Sequence, residues 1–344
     1  MTIINPAVSD IGWRGADLTD PASWTVEVDE RTADQLVDLV RERSSDPDSV
    51  AVDATTATGT TGHPAGERPA DGRVLPAALR EALSAAKHDL LHGRGFVLLR
   101  GLPVDELDDV GNEILCTLVG RELGVPIRQN DRNEMIVRVR DEGKDFSVKG
   151  VRSYETAAPL AYHSDSSDVV GLSCIRSARS GGASTIVSSV AVHQAMFAAR
   201  PDLARLLHEP WATASIIEQT VHWKPICAVN DAGELFTRYG RLYLETASDY
   251  DATIAPLTDE RVEALDVYDS FLEDPSFALD MAFRPGDLQL LNNYRIMHAR
   301  HPYVDWPEPE RRRELLRIWL VVGDLDVPDV FEDSGFVPRS EALR

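Results

Sequence analysis

Two separated stretches of this sequence carry side chains that suit a metal ion. The first contains His163 and Asp165, two residues apart. In an extended strand, side chains alternate between the two faces, so these two point the same way and can hold one ion between them. A His-x-Asp triplet alone is more often a partly buried histidine hydrogen-bonded to an acid. A second stretch, residues 286–300, adds His298. Two histidines and one carboxylate form the ligand set typical of non-haem Fe(II) sites.

Three motifs in order give the chain a family resemblance. They are the His-x-Asp triplet, a Gly-Gly-Ala-Ser turn at 181–184, and a downstream block at 286–300 that is followed by 313–320. At these separations they resemble the Fe(II)/2-oxoglutarate-dependent dioxygenases of the taurine dioxygenase and clavaminate synthase-like superfamily. The resemblance covers roughly residues 93–322. It implies that His163, Asp165 and His298 bind Fe(II), with 2-oxoglutarate and dioxygen as cosubstrates.

The resemblance also implies where the far carboxylate of 2-oxoglutarate binds. Arg313, 15 residues after the second histidine, matches the anchoring arginine of the family, and Arg317 matches a second arginine of many members. A guanidinium fits a carboxylate with two parallel donors. If this segment is a strand, residues four apart share a face. Ser184 matches a position usually held by threonine and keeps the hydroxyl that contacts the cosubstrate. Alternatives for the anchor are the neighbours Arg311 and Arg312.

Two other classes of protein fit parts of this pattern. A metal-dependent binding protein on a cupin-like fold would use the ligands without needing the arginine and the hydroxyl together. A zinc hydrolase would hold zinc and a water, but such sites usually show a further cluster of acids or histidines. His222 is the strongest rival histidine, and no carboxylate lies at a strand-compatible spacing from it. The pattern therefore favours an oxygenase.

The metal carboxylate also bears on the type of reaction. Related halogenases replace it with a small residue and so open a coordination position for chloride, whereas Asp165 is present here. We therefore expect hydroxylation of an unactivated C–H bond, with desaturation or cyclisation as the alternatives. The habits of the family indicate a small polar metabolite, such as an amino acid or another carboxylate, as the substrate.

Two polar segments are candidates for binding that substrate. Residues 126–160 form a possible active-site lid, because in the resembled family this region lies over the metal. Residues 210–245 are typical of a hairpin insertion between the two metal blocks. The side chains expected to contact substrate are Gln129, Asn130, Arg138 and Arg140 in the first segment and Arg238 and Tyr239 in the second.

The elements that position these residues follow from hydrophobic spacing. Apolar residues at helical spacing predict helices over about 29–43, 76–93, 104–123, 190–199 and 258–272, and Pro201 opens a further helix that runs through residue 207. Apolar runs between turn residues predict strands over 95–103, 169–176, 184–189 and 288–291. This order predicts an α+β fold whose core is a double-stranded β-helix, or jelly roll, buttressed by helices. We expect one domain over 1–344, with a flexible loop at 45–72 that is poor in large apolar residues.

Composition limits the partners of the protein. A net charge of −22 repels nucleic acid and anionic membrane surfaces. The three cysteines are far apart and form no C-x-x-C pair, so neither a disulfide framework nor a thiolate metal site is indicated. Because no run of about 18 apolar residues occurs, we expect a cytoplasmic enzyme that acts on a small molecule. The oligomeric state stays open.

Overall fold

The computed structural model describes residues 12–45, 74–144, 153–215, 218–334 and 337–344. The predicted loop at 45–72 falls, after its first residue, outside the described residues. The α-helices are α1 (Glu30–Ser44), α2 (Ala77–His92), α3 (Asp109–Leu123), α4 (Ser189–Ala199), α5 (Pro201–Leu206), α6 (Arg241–Glu245), α7 (Asp259–Leu272) and α8 (Arg339–Ala342). Within these ranges, none of the helices has the length and apolar character needed to cross a membrane.

The strands are mostly short and concentrated after residue 124. They are β1 (Thr25–Glu27), β2 (Phe96–Arg100), β3 (Val125–Ile127), β4 (Ile136–Val139), β5 (Leu160–His163), β6 (Val169–Arg176), β7 (Ser180–Gly181), β8 (Ser184–Ser188), β9 (Trp211–Ser215), β10 (Thr220–Lys224), β11 (Cys227–Val229), β12 (Leu235–Thr237), β13 (Leu279–Met281), β14 (Leu288–Asn292), β15 (Ile296–Arg300), β16 (Tyr303–Val304), β17 (Glu314–Val321), β18 (Asp333–Ser334) and β19 (Val337–Pro338).

Two of the sheets form the centre of the molecule. The larger has the order β1-β2-β14-β6-β17-β3, with β4 also paired to β17, and only β1 and β2 run parallel. The smaller has the antiparallel order β13-β8-β15-β5. Phe96 and Trp319 from the larger sheet share an apolar cluster with Ile186 and Ile296 from the smaller. The two sheets therefore pack face to face, and the fold is α+β.

Helices cover the outer faces of both sheets. On the larger sheet, Val97 and Leu99 of β2 pack in one cluster with residues of α1, α2 and α3. The neighbouring Phe96 and Leu98 point into the cluster between the sheets. Because β2 is buried on both faces, its sequence is a continuous apolar run rather than an alternating one. On the smaller sheet, α4, α5 and α7 form the second helical layer, against side chains such as Met297.

Capping residues explain where the helices begin. Asp29 accepts the backbone N–H of Thr32 at 2.7 Å, as the sequence predicts for the start of α1. The predicted start of the third helix at residue 104 is wrong. Asp108 accepts the N–H of Gly111 at 2.8 Å and starts α3, because its carboxylate satisfies a donor that the first helical turn leaves unpaired. Residues 104–106 instead form a short 3-10 turn.

A buried ion pair ties α8 to the loop that follows β5. The Nε of Arg339 lies 3.0 and 2.9 Å from the two carboxylate oxygens of Asp168. The same carboxylate accepts the hydroxyl of Tyr294 at 2.9 Å and the N–H of Val322 at 2.8 Å. Asp168 is fully buried and Arg339 nearly so. This network holds the loop 164–168 against β17 and against the turn between β14 and β15.

Candidate active site

The three predicted metal ligands lie together at the end of the smaller sheet. His163 ends β5, and His298 is its direct partner on the antiparallel neighbour β15. Asp165 lies two residues beyond the end of β5. Its Oδ1 is 4.0 Å from the Nε2 of His163, and its Oδ2 is 4.0 Å from the Nε2 of His298. Among the described residues, this trio is the group of histidine, cysteine and acidic side chains whose ligand atoms lie within 4.8 Å of one another. Strand pairing thus sets the two histidines side by side, and the loop after β5 adds the carboxylate that completes a two-histidine, one-carboxylate face.

Surrounding hydrogen bonds aim these side chains at a common centre. The Nδ1 of His163 lies 2.9 Å from the carbonyl oxygen of Ala161. A carbonyl only accepts, so Nδ1 carries the proton and Nε2 keeps its lone pair for a metal. Asp165 accepts the indole N–H of Trp319 at 3.1 Å and the Nη1 of Arg317 at 3.3 Å. The carboxylate is therefore fixed before any ion binds.

Burial sets the protonation states of the trio. Burial lowers the pKa of His298 to about 3, and the neighbouring His163 adds to the effect. Burial is also the largest cause of the lowered pKa of His163. On Asp165 burial acts upward, but Arg317 and the two histidines outweigh it, so the pKa of the carboxyl is lowered. At neutral pH the site offers two neutral imidazoles and one carboxylate, the forms that bind a metal ion.

Arg313 alone of the three neighbouring arginines reaches the interior. It is only 4% exposed, and its Nη1 is buried without a hydrogen-bond partner. Arg311 stacks on Trp306 at 3.6 Å from the ring centroid and is half exposed, and Arg312 donates to main-chain carbonyls at the surface. A buried guanidinium with an unpaired donor is costly without an anion, so this position fits a bound carboxylate.

The other two predicted cosubstrate residues also line the interior. The hydroxyl of Ser184 donates to Oε1 of Gln289 at 3.0 Å. The Nε of Arg317 donates to Oε1 of Gln129 at 2.8 Å, and its Nη1 reaches Asp165. Gln129 in turn donates to the carbonyl of Arg317 at 2.8 Å. This pair links the start of the predicted lid segment to β17 beside the metal ligands.

One cavity of about 700 Å³ connects these groups. It is lined by the metal trio, by Ser184, Arg313 and Arg317, and on its outer side by the hairpin of β9 and β10 and by α6. Arg238 lines the same cavity: its Nη1 donates to the carbonyl oxygen of Asp165, its guanidinium lies 4.3 Å from the ring centroid of Tyr294, and its Nη2 is buried without a partner. A volume of this size accommodates two small molecules together.

The remaining predicted substrate residues lie elsewhere. Arg138 forms ion pairs with Asp109, Glu113 and Glu314, because strand alternation turns the next residue, Val139, into the cavity instead. The other three are also bonded to protein groups and are not among the residues that line the cavity. Asn130 bonds Glu134 within its own turn, Arg140 lies at the surface near Glu142 and Glu314, and Tyr239 donates to Asp269 at 2.6 Å. These four are not part of the substrate site proposed below.

Sequence reasoning missed two residues that line the cavity. Trp319 donates to the metal carboxylate, and Arg300 lies beside Arg313. Each follows an identified site residue by two positions, Trp319 after Arg317 and Arg300 after His298. The period-2 alternation of a strand was the signal that could have found both. The rival histidine, His222, lines the same cavity but pairs with Glu218 on the hairpin of β9 and β10 and is not part of the metal trio.

A family model described as "Taurine catabolism dioxygenase TauD, TfdA family" matches residues 58–319. The chain belongs to this family. Membership confirms the predicted class of enzyme, a dioxygenase that depends on Fe(II) and 2-oxoglutarate. It does not favour the cupin-like binding protein or the zinc hydrolase.

Two similar proteins carry the names of different enzymes. FR-33289 synthase of Streptomyces rubellomurinus (strain ATCC 31215) is 26% identical to this dioxygenase over 326 residues, covering 90% of this chain and 88% of the relative. A uridine-5'-phosphate dioxygenase of Amycolatopsis sp is 31% identical over 198 residues, covering 51% of this chain and 70% of the relative.

Solved structures share the fold at low sequence identity. An asparagine oxygenase, in complex with Fe(II), 3-hydroxyasparagine and succinate, is 16% identical, with a TM-score of 0.63 over 87% of this dioxygenase and 93% of that chain. The non-haem iron oxygenase OrfP, in complex with Fe and alpha-ketoglutaric acid, is 15% identical, with a TM-score of 0.59 over 87% and 94%. Both support the α+β architecture described above.

Proposed function

We propose that this dioxygenase hydroxylates an unactivated C–H bond of a small polar metabolite, such as an amino acid or another carboxylate. The observation that carries the proposal is the single cavity that joins the metal trio to two arginines, Arg313 and Arg238, each with a buried donor lacking a partner. When bound, Fe(II) and 2-oxoglutarate would activate dioxygen, the oxidant: oxidative decarboxylation of the cosubstrate to succinate and carbon dioxide would use two of its four oxidising equivalents and leave two for the C–H bond of the substrate.

The residues of the chain then divide the work of binding. His163, Asp165 and His298 hold the metal. We assign the far carboxylate of 2-oxoglutarate to Arg313, with the hydroxyl of Ser184 beside it. Arg317 is assigned to the cosubstrate near the metal, where it also orients Asp165. We interpret the two packed sheets as the predicted double-stranded β-helix, whose interior carries all of these side chains.

The substrate side of the cavity is assigned to Arg238 and Gln129. Arg238 combines a fixed position, given by its bond to the main chain of Asp165 and its stacking on Tyr294, with a donor that has no protein partner. Such a group binds the carboxylate or phosphate of a substrate close to the metal. The relatives suggest which compounds to screen: asparagine and uridine-5'-phosphate from their names, and L-arginine, which is bound with Fe in another structure of OrfP.

Supplying these candidates to the Fe(II) enzyme under labelled dioxygen tests the reaction type. We expect succinate release that depends on the substrate, together with a product that gains one labelled oxygen atom. Loss of two hydrogens without oxygen would identify desaturation or ring closure instead. A chlorinated product in the presence of chloride would contradict the proposal, because Asp165 fills the coordination position that a halide needs.

Replacing Arg238 by glutamine tests the substrate anchor. With the substrate found in that screen, the KM is expected to rise roughly 10- to 150-fold, the effect of losing a charged hydrogen bond of about 1.5–3 kcal/mol. Arg238→Lys should recover part of the loss. The matched control is Arg241→Gln: this arginine also lines the cavity but is already paired with Glu245, Asp266 and Asp269, so its loss should raise the KM far less. An unchanged KM in Arg238→Gln, at normal iron content, would refute the assignment.

A further inference from the structure

A second buried arginine lies next to the predicted cosubstrate anchor. Arg300 is 8% exposed and lines the cavity two residues after His298, so both side chains leave β15 on the same face. Its direct partner across the strand pair is Ser184, the residue assigned to the cosubstrate hydroxyl contact. Arg300 therefore belongs to the same end of the cavity as Ser184 and Arg313.

The two guanidinium groups at this end repel each other. They flank one aromatic ring, with Arg300 at 5.3 Å and Arg313 at 5.0 Å from the ring centroid of Tyr303. Burial lowers the pKa of Arg300 to about 10, and the charge of Arg313 contributes to the lowering. A carboxylate bound here would be attracted by both cations and would relieve their repulsion.

Arg300 is also held firmly in place. Its Nη2 donates to the carbonyl oxygens of Thr156 at 2.7 Å and of Ala158 at 2.6 Å. Both acceptors lie just before β5, the strand that ends in His163. Because these main-chain contacts already hold the guanidinium in place, little conformational entropy is lost when an anion binds. The electrostatic attraction is therefore not offset by a cost of ordering the side chain.

We propose that Arg300 is a specificity-determining residue for the far carboxylate of the cosubstrate, acting through its charge alongside Arg313. The inference rests on the proposed function, in which Arg313 and Ser184 bind the far carboxylate of 2-oxoglutarate. It predicts that removing the charge of Arg300 weakens the binding of 2-oxo acids only when they carry that second carboxylate. A purely structural role, in which Arg300 only tethers residues 156–158, predicts equal weakening of all 2-oxo acids.

The two roles are separated by comparing 2-oxoglutarate with 2-oxovalerate, in which a methyl group replaces the far carboxylate. Each is titrated anaerobically into the Fe(II) enzyme, and the metal-to-ligand charge-transfer band reports binding without turnover. In Arg300→Gln, which keeps an amide donor for the two carbonyls, the dissociation constant of 2-oxoglutarate is expected to rise roughly tenfold, while that of 2-oxovalerate stays within about twofold. Arg300→Lys keeps the charge and should retain most of the preference for 2-oxoglutarate.

Each other outcome has a definite meaning. Equal weakening of both ligands in Arg300→Gln, or unchanged 2-oxoglutarate binding, would overturn the inference. If Arg300→Gln does not fold, Arg300→Lys decides: a wild-type preference for 2-oxoglutarate supports the charge, and loss of the preference overturns it. If the wild-type protein binds Fe(II) but gives no charge-transfer band with 2-oxoglutarate, the binding of 2-oxoglutarate itself is contradicted.

Discussion

Replacing either His163 or His298 by alanine is expected to abolish iron binding and turnover together. Substitutions around a metal ligand typically cost about 10–100-fold in metal affinity or activity, and removing a ligand costs more. Each histidine supplies one of the three ligand groups, and the Nε2 atom of each lies 4.0 Å from a carboxylate oxygen of Asp165. Metal content after anaerobic loading with Fe(II), followed by substrate-dependent succinate release, measures both losses.

The control for this pair is His222→Ala. His222 lines the same cavity but pairs with Glu218 on the outer hairpin, so its loss should leave the iron content unchanged. Full iron occupancy in His163→Ala or His298→Ala would refute the metal assignment. The same holds if His222→Ala loses its iron while the other two variants keep theirs.

Replacing Arg313 by alanine is expected to weaken 2-oxoglutarate by about 2–5 kcal/mol, which corresponds to roughly 30- to 5,000-fold in the dissociation constant. The loss is large because the guanidinium is buried, with one donor unpaired, and a bound carboxylate would lose its main counter-charge. The charge-transfer band of the anaerobic Fe(II) enzyme should appear only at far higher concentrations of 2-oxoglutarate. The iron content should not change.

Arg311→Ala is the matched control, because this neighbour is half exposed and stacked on Trp306. Its effect on the same titration should be within about twofold, as for most exposed positions. A large loss in Arg311→Ala with none in Arg313→Ala would move the anchor by two residues.

The sequence identified the class of enzyme and the metal trio for different reasons. A two-residue spacing is a local property, so His163 and Asp165 can be paired from the sequence alone. The strand expected to carry both ends at His163, however, and Asp165 lies in the loop beyond it. His298 is 135 residues from His163, and only the resemblance linked it to the triplet, since strand pairing over that distance leaves no local signal. The cofactors followed from the same resemblance and the α+β class from the order of the hydrophobic patterns, and both are confirmed. The individual roles of the site residues remain predictions.

The substrate side was harder to predict, because the direction of a side chain depends on strand register. A shift of one residue turns every side chain of a strand to the other face. Arg138 was therefore proposed for the cavity, although its neighbour Val139 occupies that face. The same uncertainty hid Trp319 and Arg300. Charge alone was equally misleading, since Arg138 and Arg140 neutralise nearby acids of this strongly acidic chain.

The ion pair between Asp168 and Arg339 means that the loop carrying the metal ligand Asp165 is held in place by a residue near position 340. Removing one partner of a buried pair typically costs about 3–5 kcal/mol, a large part of the stability of a domain. Asp168 belongs to the loop that carries Asp165, so the cost falls where the metal carboxylate is held. A random search for inactive variants should thus return positions 168 and 339 alongside the metal ligands. Their inactivity would arise from folding and not from chemistry.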